Sequence, residues 1–327
     1  MPLRPYKFPD DYQVVIDLLP QFYTYPDHPE WNLRPDELDN EADFTSGERR
    51  LVPLIRIAGL FSRMVRDAYC GFVYEEDGKI VASINYSRMD TLGSFWCWNI
   101  GVLPAYQHLD IAAQLVQAGI NDVKQRGARI IVADVLIQNK PAIWLAKRHS
   151  LKRFTTQAQL FYDSPTLPEI PALPEGCEIH RRSRWDWRSP FELAKRITPK
   201  EIQTYLPVEK ARFRQPVFIS LLMSIAQRIM GGRYTAFAIT QNGSVIAVMS
   251  CTTRTSPGGF NEIDITLDPD HAHLARSVIA IMTEKGKGRP IRFVVQSWQP
   301  HLLDAALELG FVKKREWVKL GLLLDSV

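Results

Sequence analysis

The sequence contains little that would mark an exported, membrane-bound or metal-binding protein. No run reaches the roughly 18 apolar residues that a membrane-spanning helix needs, and the opening residues lack the apolar core of a signal peptide. The four cysteines, at 70, 97, 177 and 251, form no C-x-x-C pair and have no histidine at metal-ligand spacing. We therefore expect a cytoplasmic protein with reduced thiols, no membrane partner and no metal.

An excess of one charge is also missing. The chain has 40 basic and 36 acidic residues, a formal net charge of +4, which is too even to favour nucleic acid as a partner. The apolar fraction of 46% and the charged fraction of 23% are ordinary for a globular protein. A length of 327 residues favours two domains over one.

A proline-rich segment divides the chain almost in half. Residues 163–176 carry a proline at every third position from 165 to 174, which favours an extended tether and excludes a helix. The expected organisation is therefore a first domain at 1–163, a linker at 164–176 and a second domain at 177–327.

The two halves carry the same signals in the same order. Asp77-Gly78 separates two alternating apolar runs in the first half, and Asn242-Gly243 does so in the second, so both predict a β-hairpin. The two glycines are 165 residues apart, and so are Pro104 and Pro269, each of which ends the next predicted strand. Several features at one offset indicate a duplicated unit.

Each unit is predicted to be a mixed α/β fold. After the hairpin come a strand that ends at the proline, a helix, a second strand and a second helix, and then two closing strands. The central strand–helix–strand predicts a right-handed parallel crossover, and the rest of the sheet is antiparallel. The predicted helices of this part cover roughly 109–126, 139–150, 271–285 and 299–310.

The loop after Pro104 carries a cofactor motif. Val102-Leu103-Pro104 ends a strand, and Gln107-His108-Leu109-Asp110-Ile111-Ala112 opens an amphipathic helix. A helix N-terminus offers unpaired amides and a positive dipole end to a phosphate. The pattern resembles the GNAT superfamily of N-acetyltransferases, whose acyl-CoA signature is arginine or glutamine, two residues, glycine, one residue, then glycine or alanine. Asp110 replaces the first glycine, and the whole chain is similar to two GNAT units in tandem.

The resemblance implies an acetyl-CoA site in the first unit. The strand around Ile100 and Val102 would align the pantetheine arm and polarise the thioester carbonyl through backbone groups. Loop amides would hold the pyrophosphate, and Asn139 would contact the cofactor near its thioester. The implied cofactor-binding residues are Ile100, Val102, Gln107, His108, Leu109, Asp110, Ile111, Ala112, Ala113, Asn139 and Ala142.

Catalytic residues are less well defined. Ala146 stands where many members of the superfamily have a tyrosine that reprotonates the leaving thiolate. Tyr106 and Tyr162 are candidates to replace it, and Asn139 is a third catalytic candidate. Asn139 precedes Lys-Pro and also fits a helix N-cap. The strand before Val102 has no carboxylate where the superfamily often keeps a base.

Asp110 bears most directly on cofactor binding. A carboxylate at a helix N-terminus stabilises the helix itself. It would also repel a phosphate charge about 5 Å away by roughly 3 kcal/mol at an effective dielectric constant near 20. If the unit binds acyl-CoA, we expect Asp110 to turn away from the phosphates or to pair with Lys147 or Arg148.

The second unit is expected to be degenerate, because the loop from Pro269 to Ser277 has neither the glutamine nor the glycine of the signature. The expected function is an acetyl-CoA-dependent N-acyltransferase that acts directly on a small-molecule amine, as a monomer or homodimer. The alternative is a non-catalytic GNAT-fold ligand-binding or regulatory protein that has lost acyl-CoA binding.

Overall fold

The computed structural model describes residues 2–25, 28–32, 62–183, 185–214, 232–255 and 259–324, with isolated positions at 52, 53, 55, 59 and 225. These residues form two compact units. Unit 1 draws its described residues from Met1–Arg34, Glu48–Phe154 and Val318–Val327, and unit 2 draws them from Thr155–Trp317.

Unit 1 alternates strands with helices in the predicted order. Its described elements are β1 (Leu3–Pro5), α1 (Asp10–Phe22), β2 (Cys70–Glu76), β3 (Lys79–Arg88), β4 (Ser94–Val102), α2 (Ile111–Gln125), β5 (Ile130–Leu136), α3 (Lys140–Arg148) and the end of β12 (Val312–Leu323), with short helical turns at Pro29–Trp31, Arg63–Arg66 and Pro104–Tyr106.

The sheet of unit 1 has the order β1-β2-β3-β4-β5-β12. Strands β1 to β4 pair antiparallel, while β4 and β5 are parallel because α2 forms the crossover between them. Apolar residues of α2 and α3 share one core with the sheet, and residues of α1 form a smaller core with β2 and β3.

Unit 2 repeats this arrangement. Its described elements are β6 (Lys152–Tyr162), β7 (Cys177–Arg181), α4 (Arg188–Ile197), β8 (Gly232–Gln241), β9 (Ser244–Arg254), β10 (Asn261–Leu267), α5 (Ala275–Lys285), β11 (Ile291–Gln296), α6 (Pro300–Glu308) and the start of β12, with short helical turns at Lys200–Gln203, Lys210–Phe213 and Pro269–Leu274. The strand order β6-β11-β10-β9-β8-β7 contains one parallel pair, β10 with β11.

Both predicted hairpins are confirmed. Asp77 and Gly78 have φ angles of 50° and 73°, and Asn242 and Gly243 have 51° and 76°. Two consecutive positive φ angles define the type I′ turn, whose twist matches that of the flanking strands.

The ends of the units differ from the prediction. We expected two closing strands at the end of each half, but each half ends in a single long strand. Residues 157–162 of β6 pair with β11 of unit 2, whereas Lys319 and Leu324 contact Asp134 and Arg129 of unit 1. Along the chain, the division between the two compact units falls within β6, at Phe154 and Thr155.

In each unit the two parallel strands pair along only part of their length. Strand β4 pairs with β5 at Ser94–Cys97 and continues to Val102 paired with β3 alone among the described strands. Strand β10 pairs with β11 at Asn261–Ile263 and likewise continues to Leu267. The splay leaves backbone N–H and C=O groups of β4 facing an opening in unit 1.

Gly119 of α2 gives a test of the unit 1 core. A Cβ there would lie 2.8 Å from the hydroxyl oxygen of Tyr86 and closer still to its ring, and Tyr86 is 2% exposed. Gly119→Ala gains about 1 kcal/mol of helix propensity, but overpacking costs about 1–3 kcal/mol or more. We expect a net loss of unfolding free energy in urea titration. Gln117→Ala, on the exposed side of α2, should not lose stability, and an equal loss there would contradict the packing explanation.

Candidate functional site

The site begins where the chain leaves β4. After Val102 the chain makes the short turn Pro104–Tyr106, and the side-chain amide of Gln107 donates a hydrogen bond to the Val102 carbonyl at 3.2 Å. This hydrogen bond connects the loop to the end of β4. This contact gives the signature glutamine a structural role in this chain.

The N-terminus of α2 presents unpaired amides. The N–H of Gln114 bonds to the Asp110 carbonyl at 3.1 Å, so the N–H groups of Ile111, Ala112 and Ala113 precede the first helical hydrogen bond. No side chain among the described residues caps this end. These three donors, with the positive end of the helix dipole, form a site suited to a phosphate.

Asp110 lies in the left-handed region, with φ 58° and ψ 12°. Glycine adopts this conformation without steric cost, whereas other residues incur about 1–2 kcal/mol. Aspartate is among the more tolerated exceptions. The backbone of the loop therefore keeps the shape that the signature glycine would give it, although the side chain has changed.

The Asp110 carboxylate is paired. Its Oδ1 lies 3.2 Å from Nη1 of Arg148, on α3, with 60% of the Asp110 side chain and 50% of the Arg148 side chain exposed. Arg148 was one of the two cations expected to neutralise this residue. The same guanidinium lies 5.6 Å from the ring centre of Trp144, which is 62% exposed. A cation therefore accompanies the carboxylate at the mouth of the amide site.

Asn139 lies at the N-terminus of α3 and acts as its N-cap. Its Oδ1 accepts a hydrogen bond from the Ala142 N–H at 3.1 Å, so the cap interpretation is correct. Burial raises the pKa of the Tyr25 hydroxyl, and the Asn139 side chain partly opposes that rise.

The β4 side of the opening has a register irregularity that the sequence did not reveal. Asn85 faces Asn99 and Tyr86 faces Cys97, so Trp98 is an extra residue on β4. Beyond this bulge, the side chains of Ile100 and Val102 pack on the unit 1 core. They can contribute to a ligand site through their backbone, as the prediction requires.

A buried polar network follows the bulge. Asn99 is 2% exposed; it accepts a hydrogen bond from the Tyr23 hydroxyl at 3.0 Å and donates to Ser83 and Asn85 at 2.8 and 3.0 Å. Tyr23 and Tyr25 belong to the segment after α1, and no motif marked them in the sequence. This segment contacts β4 through Tyr23.

The two tyrosine candidates, Tyr106 and Tyr162, lie in different units of the structure. Tyr106 lies in the turn after β4 and packs partly buried against the unit 1 core. Tyr162 belongs to the core of unit 2, where its ring contacts Phe311 and its hydroxyl donates to the Thr166 carbonyl. Tyr162 therefore lies in unit 2, because the chain enters that unit within β6.

Two titratable side chains on the hairpin strands of unit 1, Glu75 and Tyr86, are engaged in other contacts. The Glu75 carboxylate pairs with Arg4 at 2.6 Å. Tyr86 is buried against α2, and burial, with the neighbouring Cys97, raises the pKa of its hydroxyl well above the usual value. Among the described residues, no group of three or more histidine, cysteine, aspartate or glutamate side chains could hold a metal ion.

The corresponding loop of unit 2 has a different construction. The short helix Pro269–Leu274 runs directly into α5, and the Ala275 N–H donates to the Ala272 carbonyl. The Asp268 carboxylate already accepts the Asp270 N–H at 3.1 Å and pairs with Arg196. The equivalent turn thus leads into α5 through a kink at His271, where φ is −113° and ψ is 27°, and it carries its own internal carboxylate.

Comparisons with known proteins agree with this fold. Residues 17–150 match the model of the acetyltransferase (GNAT) family. A tandem GNAT protein from the clavulanic acid biosynthesis pathway is 12% identical with a TM-score of 0.62, over 99% of both chains. A GCN5-related N-acetyltransferase from Sphaerobacter thermophilus is 14% identical with a TM-score of 0.55, over 80% of this chain and 82% of that chain.

A third structure is a GCN5-related glucosamine N-acetyltransferase region of a fungal multi-domain GH3 β-N-acetylglucosaminidase. It is 15% identical with a TM-score of 0.63, over 98% of this chain and 38% of that chain. No curated protein sequence matches the chain. Similarity at these identities shows the tandem fold. Within the described residues, no helix is long and apolar enough to cross a membrane.

Proposed function

We propose that unit 1 is an acyl-CoA-dependent N-acyltransferase that uses acetyl-CoA and a small-molecule amine, because residues 17–150 match the GNAT acetyltransferase family model and the chain is similar in fold to a tandem GNAT protein. The observation that carries this proposal is the amide site of α2 with its neutralised carboxylate. Three free N–H groups remain available, and Arg148 offsets the one charge that would repel a pyrophosphate.

The described residues suggest how such a reaction would proceed. The amides of Ile111, Ala112 and Ala113 would bind the pyrophosphate, and the unpaired edge of β4 would pair with the pantetheine arm. A β4 backbone N–H near the Trp98 bulge would donate to the thioester oxygen as negative charge develops there. The amine would attack the thioester directly, and holding both reactants together would supply much of the rate.

We propose that unit 2 has a structural role, and that 164–176 links the two halves of the duplicated sequence, 1–163 with the acyl-CoA site and the degenerate 177–327, although the compact units themselves divide earlier, at Phe154 and Thr155. The four cysteines are free thiols, which supports a cytoplasmic protein. We expect a monomer or homodimer that takes no nucleic acid or membrane partner.

A non-catalytic ligand-binding or regulatory protein is the second candidate. Asp110 in place of glycine and Ala146 in place of tyrosine favour it, because each removes a feature of the superfamily signature. The non-catalytic hypothesis predicts the same fold without turnover. A binding experiment combined with a turnover experiment therefore distinguishes it from the acyltransferase hypothesis.

Calorimetric titration with acetyl-CoA tests the proposal. We expect the natural protein to bind, and Asp110→Gly to bind with similar or higher affinity, since glycine keeps the left-handed backbone and removes residual repulsion. Binding by Asp110→Gly alone would show that the unit has been inactivated at this residue. Binding by neither would refute the acyltransferase proposal. A screen of acceptor amines that detects thiol release then separates enzyme from binding protein.

A further inference from the structure

A cavity with an apolar lining lies in unit 1 between α3 and β12. Its volume is about 210 Å³, and all of its lining residues belong to unit 1. Val318 and Leu320 of β12 are buried, whereas Ile143 of α3 and Ile137, in the loop before α3, are half-buried. Since an apolar cavity of about 150 Å³ holds benzene, this cavity has room for an apolar body of about six carbons.

The rim of the cavity is positively charged. Lys140, Lys147 and Arg153 line it, and all three are exposed. Among the described residues, none of the three has an ion pair, and no acidic side chain lines the cavity. Three like charges around one cavity repel one another and do not stabilise the fold. A bound anion would offset that repulsion.

The cavity is separate from the amide site of α2. Lys140, Ile143 and Lys147 are spaced by three and four residues, so they share one face of α3. Arg148 is turned by about 100° around the helix axis from Lys147, and it pairs with Asp110 at the amide site. Among the described residues, none that lines the cavity belongs to β4, α2 or the loop between them.

We propose that this cavity is a second ligand site of unit 1, which binds a small amphipathic anion. The apolar body of the ligand lies against the four aliphatic side chains, and its acidic head group lies among the three cations. A carboxylate suits Arg153 in particular, because a guanidinium can donate to both of its oxygens. The site does not depend on the proposed acyltransferase function.

Titration with hexanoate, followed by ligand-observed NMR, tests the proposal. Hexanoate should bind with a Kd of about a millimolar or tighter. Butyrate lacks two CH₂ groups, and each should weaken binding by about twofold to fourfold. Hexanamide has nearly the same shape without the charge and should bind about threefold to tenfold more weakly. Absence of hexanoate binding at about 10 mM, or equal affinities for hexanoate and hexanamide, would overturn the inference.

Two neighbouring cations provide a matched pair of variants. Arg153→Gln should weaken hexanoate binding by about threefold to tenfold and leave hexanamide binding unchanged. Lys152→Gln removes the same charge from the adjacent residue, which is also exposed but does not line the cavity, and it should change neither affinity. Equal losses of hexanoate affinity in the two variants would show attraction to general surface charge and would overturn the site.

A titration with hexanoate in the presence of saturating acetyl-CoA separates this inference from the proposed function. An unchanged hexanoate affinity supports a second site, whereas competition would place hexanoate in the acetyl-CoA site and overturn the inference. If the natural protein binds hexanoate but no acetyl-CoA, the acyltransferase proposal fails and the anion site stands. If it binds acetyl-CoA but no hexanoate, only the anion site fails.

Discussion

Replacing Arg148 with alanine is expected to lower the affinity of unit 1 for acetyl-CoA by about tenfold to fiftyfold. The substitution leaves the Asp110 carboxylate at the amide site without its partner, 3.2 Å away in the natural protein. Repulsion of a phosphate about 5 Å away is roughly 3 kcal/mol before screening. Both side chains are half exposed, so solvent and salt reduce this value. Calorimetric titration at low and at high salt measures the effect.

Two comparisons show whether the loss of acetyl-CoA affinity comes from the unpaired Asp110 carboxylate. Lys147→Ala removes the same charge from the adjacent residue, which makes no ion pair among the described residues, and should change affinity much less. In the double variant with Asp110→Gly, loss of Arg148 should have little further effect, because nothing remains to be neutralised. Equal losses for the Lys147 and Arg148 variants would argue against specific pairing, and so would a full loss in the glycine background.

Asp67→Asn is expected to cost about 3–5 kcal/mol of unfolding free energy, because it leaves a buried guanidinium without its counter-charge. The Asp67 side chain is 0% exposed and bonds to Arg88 at 3.0 Å and to Arg126 at 3.1 Å, and the Arg88 side chain is 6% exposed. Urea unfolding at neutral pH measures the loss. The matched control is Asp122→Asn, which breaks a partly exposed pair with Arg126 and should cost less than about 1 kcal/mol.

The ion pairs of Asp67 also make the free energy of unfolding depend on pH. Burial by itself raises the pKa of Asp67, but hydrogen bonds from Arg88, Arg66 and Arg126 outweigh burial, and the net pKa is below the usual 3.8. A lowered native pKa gives stability that is present above the unfolded value and is lost as pH falls through the native one. The natural protein should therefore lose this contribution in acid below about pH 4. Asp67→Asn should lack that part of the acid transition, and an identical transition in both proteins would contradict the assignment.

Local signals accounted for most of the fold. The Asp-Gly and Asn-Gly turns require consecutive positive φ angles, so the hairpins at 77–78 and 242–243 were predictable from residue type alone. Pro104 and Pro269 end their strands because proline lacks the donor that a ladder needs. The amide site after Pro104 was predictable for the same reason, since backbone geometry at a helix start depends little on side chains.

Long-range contacts were not available from sequence. Nothing local shows that β6 pairs with β11, so the sequence could not show that Tyr162 lies in unit 2. Asn139 illustrates the same limit: its N-cap role follows from position, but no motif marks its influence on the pKa of Tyr25, 114 residues away in the sequence. The choice of Arg148 over Lys147 depended on which face of α3 turns toward Asp110.

Most of β6, which ends the first half of the chain, belongs to unit 2, whereas residues 318–323 at the end of the chain belong to unit 1. This arrangement affects how the units fold during synthesis. A ribosome delivers residues from the N-terminus, and domains generally fold in that order as they emerge. Unit 1 cannot add the strand beside β5 until residues 318–323 have been synthesised, long after its other elements. Unit 2 instead receives β6 before the rest of its sheet. The nascent first half therefore has an uncovered strand edge until the end of the chain is made, the kind of surface that aggregates or recruits a chaperone.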